Sequence, residues 1–320
     1  MARRRRDVPR RVGGTAVKVA MDVSPLGQTR AGTARYVRGL LAHLDVVPLR
    51  FDGAGRTATL VRDVVWYPSL GLRGGFDVLH CPSFRGPPRA RVPLVVTVHD
   101  LAVLVHPEWF NRWTAAYSRL AVPRVVRAAA RVIAVSEATK RDVVDLLRVP
   151  AERVRVIPNG VEDVFTADGP AAEGDYVLAV GTLEPRKNLA RVAEACRGLE
   201  LRVVGAPGWG GVEAPTGAAF LGEVSDDELA RLYRGARCLV YPSLQEGFGI
   251  PVAEALACGC PVVTSAGSPM TELGVVVAVD PYDAAAIRAG IERAGRTGPQ
   301  PVPRWPEVAE ATRAVYEELR

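Results

Sequence analysis

The chain has 320 residues, 48% of them hydrophobic and 24% charged, with a formal net charge of +6. That length suits two domains better than one, and the composition is that of an ordinary globular protein. No apolar run approaches the roughly 20 residues needed to cross a bilayer, and the charged N-terminus is unlike a secretory leader, so a cytoplasmic protein is expected.

The charge is concentrated at one end. Residues 1–14 read as a basic, disordered tail: the first eleven hold six arginines against Asp7 and carry +5, leaving +1 for the other residues. A nearly neutral body gives no case for nucleic-acid binding. The tail suits peripheral contact with an anionic membrane surface, where each basic residue is worth about 1 kcal/mol. The five cysteines, Cys81, Cys196, Cys238, Cys258 and Cys260, form no C-x-x-C pair and have no histidine at zinc-ligand spacing. They read as reduced, buried, small apolar residues, with no metal site.

In chain order, strands are expected at Val17–Val23, Val46–Phe51, Val78–Cys81, Leu94–Val98, Val132–Val135 and Val154–Ile157. Several are continuous apolar runs, the pattern of parallel strands covered on both faces. Helices are expected between them, at Ala34–Leu44, Trp113–Ala129 and after Ser136, an N-cap. The polar, Gly/Pro-bearing stretch Thr166–Asp175 reads as a linker. The alternation then restarts with strands at Tyr176–Val180, Leu201–Val204, Ala219–Leu221, Cys238–Tyr241, Pro261–Thr264 and Val275–Val279, and closes with a terminal amphipathic helix over Glu307–Arg320. Two βα arrays joined by a linker predict an α/β protein of two Rossmann-like, doubly wound domains facing across a cleft.

Three motifs are absent. Gly27–Gly32 has the spacing of a phosphate loop, but Thr33 and Ala34 stand where lysine and a hydroxyl residue belong. No G-x-G-x-x-G follows the first strand of either half, and there is no G-x-S-x-G. The second half carries chemistry instead. Val180–Leu189 (VGTLEPRKNL) ends a strand at Gly181 and opens a helix at Asn188, setting Arg186 and Lys187 where the helix dipole already favours an anion. Lys187 is one of only three lysines. Tyr241–Cys260 (YPSLQEGFGIPVAEALACGC) places Glu246 on a flexible Gly247-Phe248-Gly249 loop and Glu254 one turn into a helix that starts near Pro251. Diphosphate on the cations and hydroxyls on the carboxylates is the ligand chemistry this pattern fits. Of the four histidines, His99 ends a strand and precedes Asp100, which is placed either to orient the ring or to cap the next turn. His80 reads as structural, and Trp109 and Trp113 as packing residues.

These motifs, with Ala31–Val37 (AGTARYV), Thr97–Leu101 (TVHDL), Pro107–Phe110 (PEWF), Ser136–Asp142 (SEATKRD) and Pro158–Val161 (PNGV), resemble the retaining glycosyltransferases of family 4, which have the GT-B fold. In flavour the chain looks like bacterial mannosyl- and rhamnosyltransferases of polysaccharide assembly. It implies an acceptor-side domain at 15–168, a donor domain at 169–303, and a C-terminal helix at 304–320 that packs back on the first domain. It implies transfer of a hexosyl unit, mannosyl or rhamnosyl-like, from a nucleotide-diphosphate sugar to a hydroxyl of a glycan, lipid-linked or small-molecule acceptor. Configuration is retained, and neither cofactor nor metal is needed. Arg186 and Lys187 would hold the diphosphate, Glu254 the ribose, and Glu246 and His99 the transferred sugar. Gly32, Gly181, Gly247, Phe248 and Gly249 would shape the donor site. A silent sugar-nucleotide binder and a sugar-nucleotide epimerase are the alternatives.

Overall fold

The computed structural model describes residues 17–28, 32–53, 55–208 and 210–320. The arginine-rich tail lies outside the described residues.

Six strands form the first sheet: β1 (Val19–Asp22), β2 (Val47–Leu49), β3 (Val78–Cys81), β4 (Leu94–Val98), β5 (Arg131–Ala134) and β6 (Val154–Val156), in the order β2-β1-β3-β4-β5-β6. Six more form the second: β7 (Tyr176–Val180), β8 (Glu200–Val204), β9 (Ala219–Gly222), β10 (Cys238–Tyr241), β11 (Val262–Ser265) and β12 (Val277–Val279), in the order β12-β11-β10-β7-β8-β9. Every neighbouring pair is parallel. The continuous apolar runs are the central strands: β1, β3, β4, β10 and β11 are buried at every position, because helices cover both faces. The edge strands β2 and β9 are largely exposed. All five cysteines are free and buried.

In the second sheet the chain reverses direction between β7 and β10, the switch point at which doubly wound sheets open a crevice for ligands. The loops leaving these two strands are the ones that carry Arg186, Lys187 and Glu246.

Among the helices that the sequence analysis did not single out, one is irregular. Gly55–Val61, a π turn at Arg62–Trp66 and Tyr67–Gly71 form a broken helix between β2 and β3. Its branched residues Val61, Val64 and Val65 weaken the helical signal, and their exposure hides the usual apolar stripe.

The chain finally returns to its first half. The helix Trp305–Glu317 packs on the helix Gly32–His43 and contributes Trp305, Val308, Val315 and Tyr316 to the first domain's core. A Cβ on Gly39 or Gly160 would lie 2.2 or 2.5 Å from the Trp305 ring, so both positions are bare where the indole lies flat. Deeper in, the fully buried His80 joins Tyr316 Oη (2.7 Å) to Thr97 Oγ1 (2.9 Å), and Thr97 meets Tyr36 Oη at 3.2 Å. Burial, with His99 nearby, draws the His80 ring down to about 3.

The unfolded chain therefore takes up a proton at His80 first, near pH 6.5. The stability this site contributes is fully present above that pH and drains away as the pH falls toward 3. His80→Gln, which does not titrate, is expected to lie closer to wild type as the medium is acidified. The gap should shrink by roughly 1.4 kcal/mol per pH unit below 6.5. Urea unfolding of both proteins at pH 7, 6 and 5 measures it, and a gap independent of pH contradicts the assignment.

Candidate active site

The carboxyl ends of the two sheets face each other across a cleft of about 310 Å³. Its walls include all ten residues singled out from the sequence: Gly32 and His99 from the first domain, and Gly181, Arg186, Lys187, Glu246, Gly247, Phe248, Gly249 and Glu254 from the second.

The loop after β7 tightens into a 3₁₀ turn at Pro185–Lys187, and Asn188, in left-handed conformation, caps the helix Leu189–Ala195. Asn188 fixes that corner by donating Nδ2–H to the Pro242 and Pro281 carbonyls. The loop after β10 ends at Gly249, whose φ of +93° starts the helix Ile250–Ala257.

Glu246 does not project freely over the cleft. Its Oε1 accepts from Lys187 Nζ (2.6 Å), Ser243 Oγ (2.7 Å) and Tyr241 Oη (3.0 Å), and its Oε2 from Arg186 Nη1 (3.3 Å). Burial works to raise this carboxyl, but Lys187 and Arg186 outweigh it and hold the group at about 2. Arg186 also bonds Glu184 at 2.7 Å and lies 3.7 Å from Asp100. Two cations thus face three carboxylates, and the clamp is more than neutralised from within.

Glu254 is buried, and here the sequence reading missed a partner. Arg35, on the first-domain helix, reaches across the cleft to place Nη1 2.7 Å from Glu254 Oε1, while also pairing with Glu162 (2.5 Å) and Asp226 (3.4 Å). Tyr233 Oη donates to Glu254 Oε2 at 3.0 Å. Burial raises the Glu254 carboxyl to about 7 against the pull of Arg35. Asn159 Oδ1, a second buried acceptor lining the same cleft, has no hydrogen-bond partner among the described residues, whereas Glu254 Oε1 has the Arg35 ion pair.

His99 follows the last residue of β4 and is half-buried. Its Nε2 lies 3.1 Å from the Pro82 carbonyl, which only accepts, so Nε2 carries the proton. Burial lowers the ring below its ordinary value, favouring the neutral form in which Nδ1 keeps its lone pair. Asp100 caps the following turn through Ala102 N–H at 3.0 Å, and the ring is held by Pro82 and by an edge contact with Tyr36 instead. Trp109 and Trp113 stack on His106 and Tyr117.

Against this geometry stand the known proteins that the chain is similar to. The profile described as Glycosyltransferase Family 4 matches residues 24–165, and that described as Glycosyl transferases group 1 matches residues 162–297. The O-antigen chain mannosyltransferase RfbU of Salmonella typhimurium is 30% identical over 277 residues, 78% of this chain and 75% of the relative. The chain belongs to glycosyltransferase family 4. Another relative, the O-antigen chain mannosyltransferase B of Escherichia coli, is also 30% identical, over 67% of this chain, which spans 64% of that relative's length. Among solved structures, sucrose-phosphate synthase of Thermosynechococcus elongatus superposes with a TM-score of 0.68 at 18% identity, covering 95% of each chain. The Anabaena protein HepE, solved with UDP and glucose, gives 0.64 at 17%, also covering 95% of each chain. At such identity these likenesses fix the GT-B fold.

The seam that closes this family 4 cleft is tight at Gly247. A Cβ there would sit 1.5 Å from the His99 carbonyl oxygen, while the Gly247 carbonyl accepts from Thr139 Oγ1 at 3.2 Å. Gly247→Ala is expected to push the domains apart and destabilise the protein by roughly 1–3 kcal/mol, the usual cost of overpacking. Small-angle scattering should show a larger radius of gyration. An unchanged profile and an unchanged melting temperature contradict the seam described here.

Proposed function

We propose that this chain transfers a hexosyl unit, mannosyl or rhamnosyl-like, from a nucleotide-diphosphate sugar to a hydroxyl acceptor with retention of configuration. The observation that carries the reading is that the carboxylates Glu246 and Glu254 and the buried acceptor Asn159 Oδ1 line one cleft with the cations Arg186 and Lys187. A ligand that brings hydroxyl donors to the first and negative charge to the second satisfies both, and a nucleotide sugar is such a ligand.

The donor diphosphate takes the place of Glu246 on Lys187 and Arg186. The N-terminus of the helix Ile250–Ala257 and that of the helix Gly32–His43 add their dipoles. The displaced Glu246 carboxylate then accepts from hydroxyls of the sugar. Its exchange of partners reconciles a sugar-contacting role with its position on the clamp. Neutral His99 offers Nδ1 to the same ring. As the bond from the anomeric carbon to the diphosphate oxygen breaks, Arg186 and Lys187 stabilise the charge that grows on the leaving group. The acceptor hydroxyl attacks from the leaving-group face and passes its proton to a donor phosphate oxygen. No residue is assigned to a metal.

Thermal denaturation against GDP, UDP, dTDP and ADP tests the reading. One nucleotide at 100 times its dissociation constant should add about 2.7 kcal/mol, and the double variant Arg186→Ala/Lys187→Ala should lose that response. A folded sample that answers to none of the four overturns the proposal.

Glu246→Gln separates binding from transfer. Removing the competing carboxylate should tighten free nucleoside diphosphate several-fold while turnover falls at least 100-fold. The unliganded variant should also melt lower, since breaking one side of a buried ion pair costs about 3–5 kcal/mol. Weaker nucleotide binding with turnover retained would refute the exchange.

A further inference from the structure

Arg35, on the helix Gly32–His43, is held where the chain crosses between its two domains. Its Nε donates to Glu162 Oε1 at 2.5 Å, its Nη2 lies 3.4 Å from Asp226 Oδ2, and its guanidinium stands 5.3 Å from the centre of the Phe165 ring. Glu162 and Phe165 belong to the segment that leaves the first domain. Arg304, where the chain returns, steadies that segment by donating Nη1–H to the Glu162 carbonyl (2.9 Å) and Nη2–H to the Phe165 carbonyl (3.1 Å). The two crossings also pair as a parallel bridge between Val161 and Arg304. A long, adaptable side chain is thereby fixed on several sides, and its Nη1 is left for Glu254.

Glu254 receives one contact from each domain. Arg35 Nη1 lies 2.7 Å from Oε1, and Tyr233 Oη, on the helix Asp226–Gly235, donates to Oε2 at 3.0 Å. A carboxylate has about four lone-pair sites. These two contacts therefore leave one site on each oxygen, and both Glu254 and Arg35 line the cleft. Two adjacent ribose hydroxyls match that remainder.

The charges around Glu254 make Arg35 decisive. The groups that face it are Arg35, Glu162, Tyr233 and Asp226, with Cys258 one turn further along its own helix. Three carboxylates thus share one guanidinium, and Glu254 is the most deeply buried of the three. Burial raises its carboxyl to about 7; Arg35 exerts the largest opposing pull, Glu162 and Asp226 add to the rise, and the Tyr233 hydrogen bond opposes it. Without the guanidinium the carboxyl stays protonated to higher pH, and Oε1 loses the contact that aims it. Hydrogen bonds to an ionised acceptor are roughly twice as strong as neutral ones, so the same loss weakens the hold on a hydroxyl.

We propose that Arg35 is a positioning residue of the donor site. From the first domain it fixes the Glu254 carboxylate, in charge and in direction, to receive the ribose hydroxyls, so that the ribose is read in full only when the two domains are closed. This role rests on the nucleotide-sugar reading above.

Calorimetric titration with GDP, UDP, ADP and dTDP tests it, each against the analogue lacking its free ribose hydroxyls (2′,3′-dideoxy for the first three, 3′-deoxy for dTDP). Comparing two forms of one nucleotide cancels the titration of the diphosphate itself. For the nucleotide that binds, wild type at pH 8 should favour the hydroxylated form at least roughly tenfold. The preference should decline as the pH falls through about 7. Arg35→Gln should move that midpoint up by roughly one to three pH units, and Arg35→Lys, which keeps the charge, should bring it back toward wild type. Glu254→Gln should remove the pH dependence, and adding Arg35→Gln to it should change the preference no further. If Arg35→Gln weakens both forms equally and leaves the midpoint in place, the role is overturned while the donor reading stands. A wild-type preference that does not change between pH 6 and pH 8 overturns it as well, without recourse to any variant. If folded wild type binds none of the four nucleotides, the donor reading falls and this role falls with it.

Discussion

One guanidinium ties the two halves of this molecule together. Arg35 leaves the first-domain helix and meets Glu162, Asp226 and Glu254, the last on the second domain's helix and almost wholly buried. A buried carboxylate needs a partner, because desolvation of an isolated charge costs several kcal/mol. Glu254 finds its partner only when the domains close as they do here. Closure also brings the Gly247 backbone onto the His99 carbonyl, where no side chain fits. The position of His99 relative to the donor loops thus follows from one ion pair and one bare α-carbon.

The charge balance of the cleft follows the same logic of occupancy. Arg186 and Lys187 are surrounded by Glu184, Asp100 and Glu246. Such a cluster keeps buried cations charged and in place, at the cost of leaving little net attraction for an anion. Glu184 and Asp100 lie on fixed turns, whereas Glu246 sits on a loop between Ser243 and Gly247. It alone of the three carboxylates bonds both cations.

The first domain contributes through a chain of hydrogen bonds rather than through charge. Tyr316 on the last helix, His80, Thr97 and Tyr36 form a continuous line, and Tyr36 packs edge-on to His99 at 4.9 Å. The C-terminal helix is therefore part of the support of the first-domain wall of the cleft, although it follows the second domain in sequence. Behind His99, the Pro82 carbonyl at the start of the loop after β3 accepts from the ring's Nε2–H.

Much of this was legible in the sequence. Strands covered on both faces must be apolar throughout, several of the expected runs satisfied this, and all twelve became strands of the two sheets with ends within about two residues of those expected. The Ser136 cap, with Ser136 Oγ accepting from Thr139 N–H, and the turns around Arg186, Lys187 and Gly249 depend on neighbours a few positions away. Local chemistry settles them. The spacing of those motifs after β7 and β10 also foretold that they would share one cleft, because the sheet order places both strands at the switch point. Tertiary structure decided the partners. Arg35 and Glu254 are 219 positions apart, and nothing in either neighbourhood marks the pairing. Asp100 was placed equally well to orient His99 or to cap a turn, and only the Pro82 carbonyl, brought in by β3, took the ring and left Asp100 the cap. The broken helix Gly55–Gly71 escaped because its branched residues Val61, Val64 and Val65 face solvent instead of a core, and pattern reading registers a face only where the chain itself covers it.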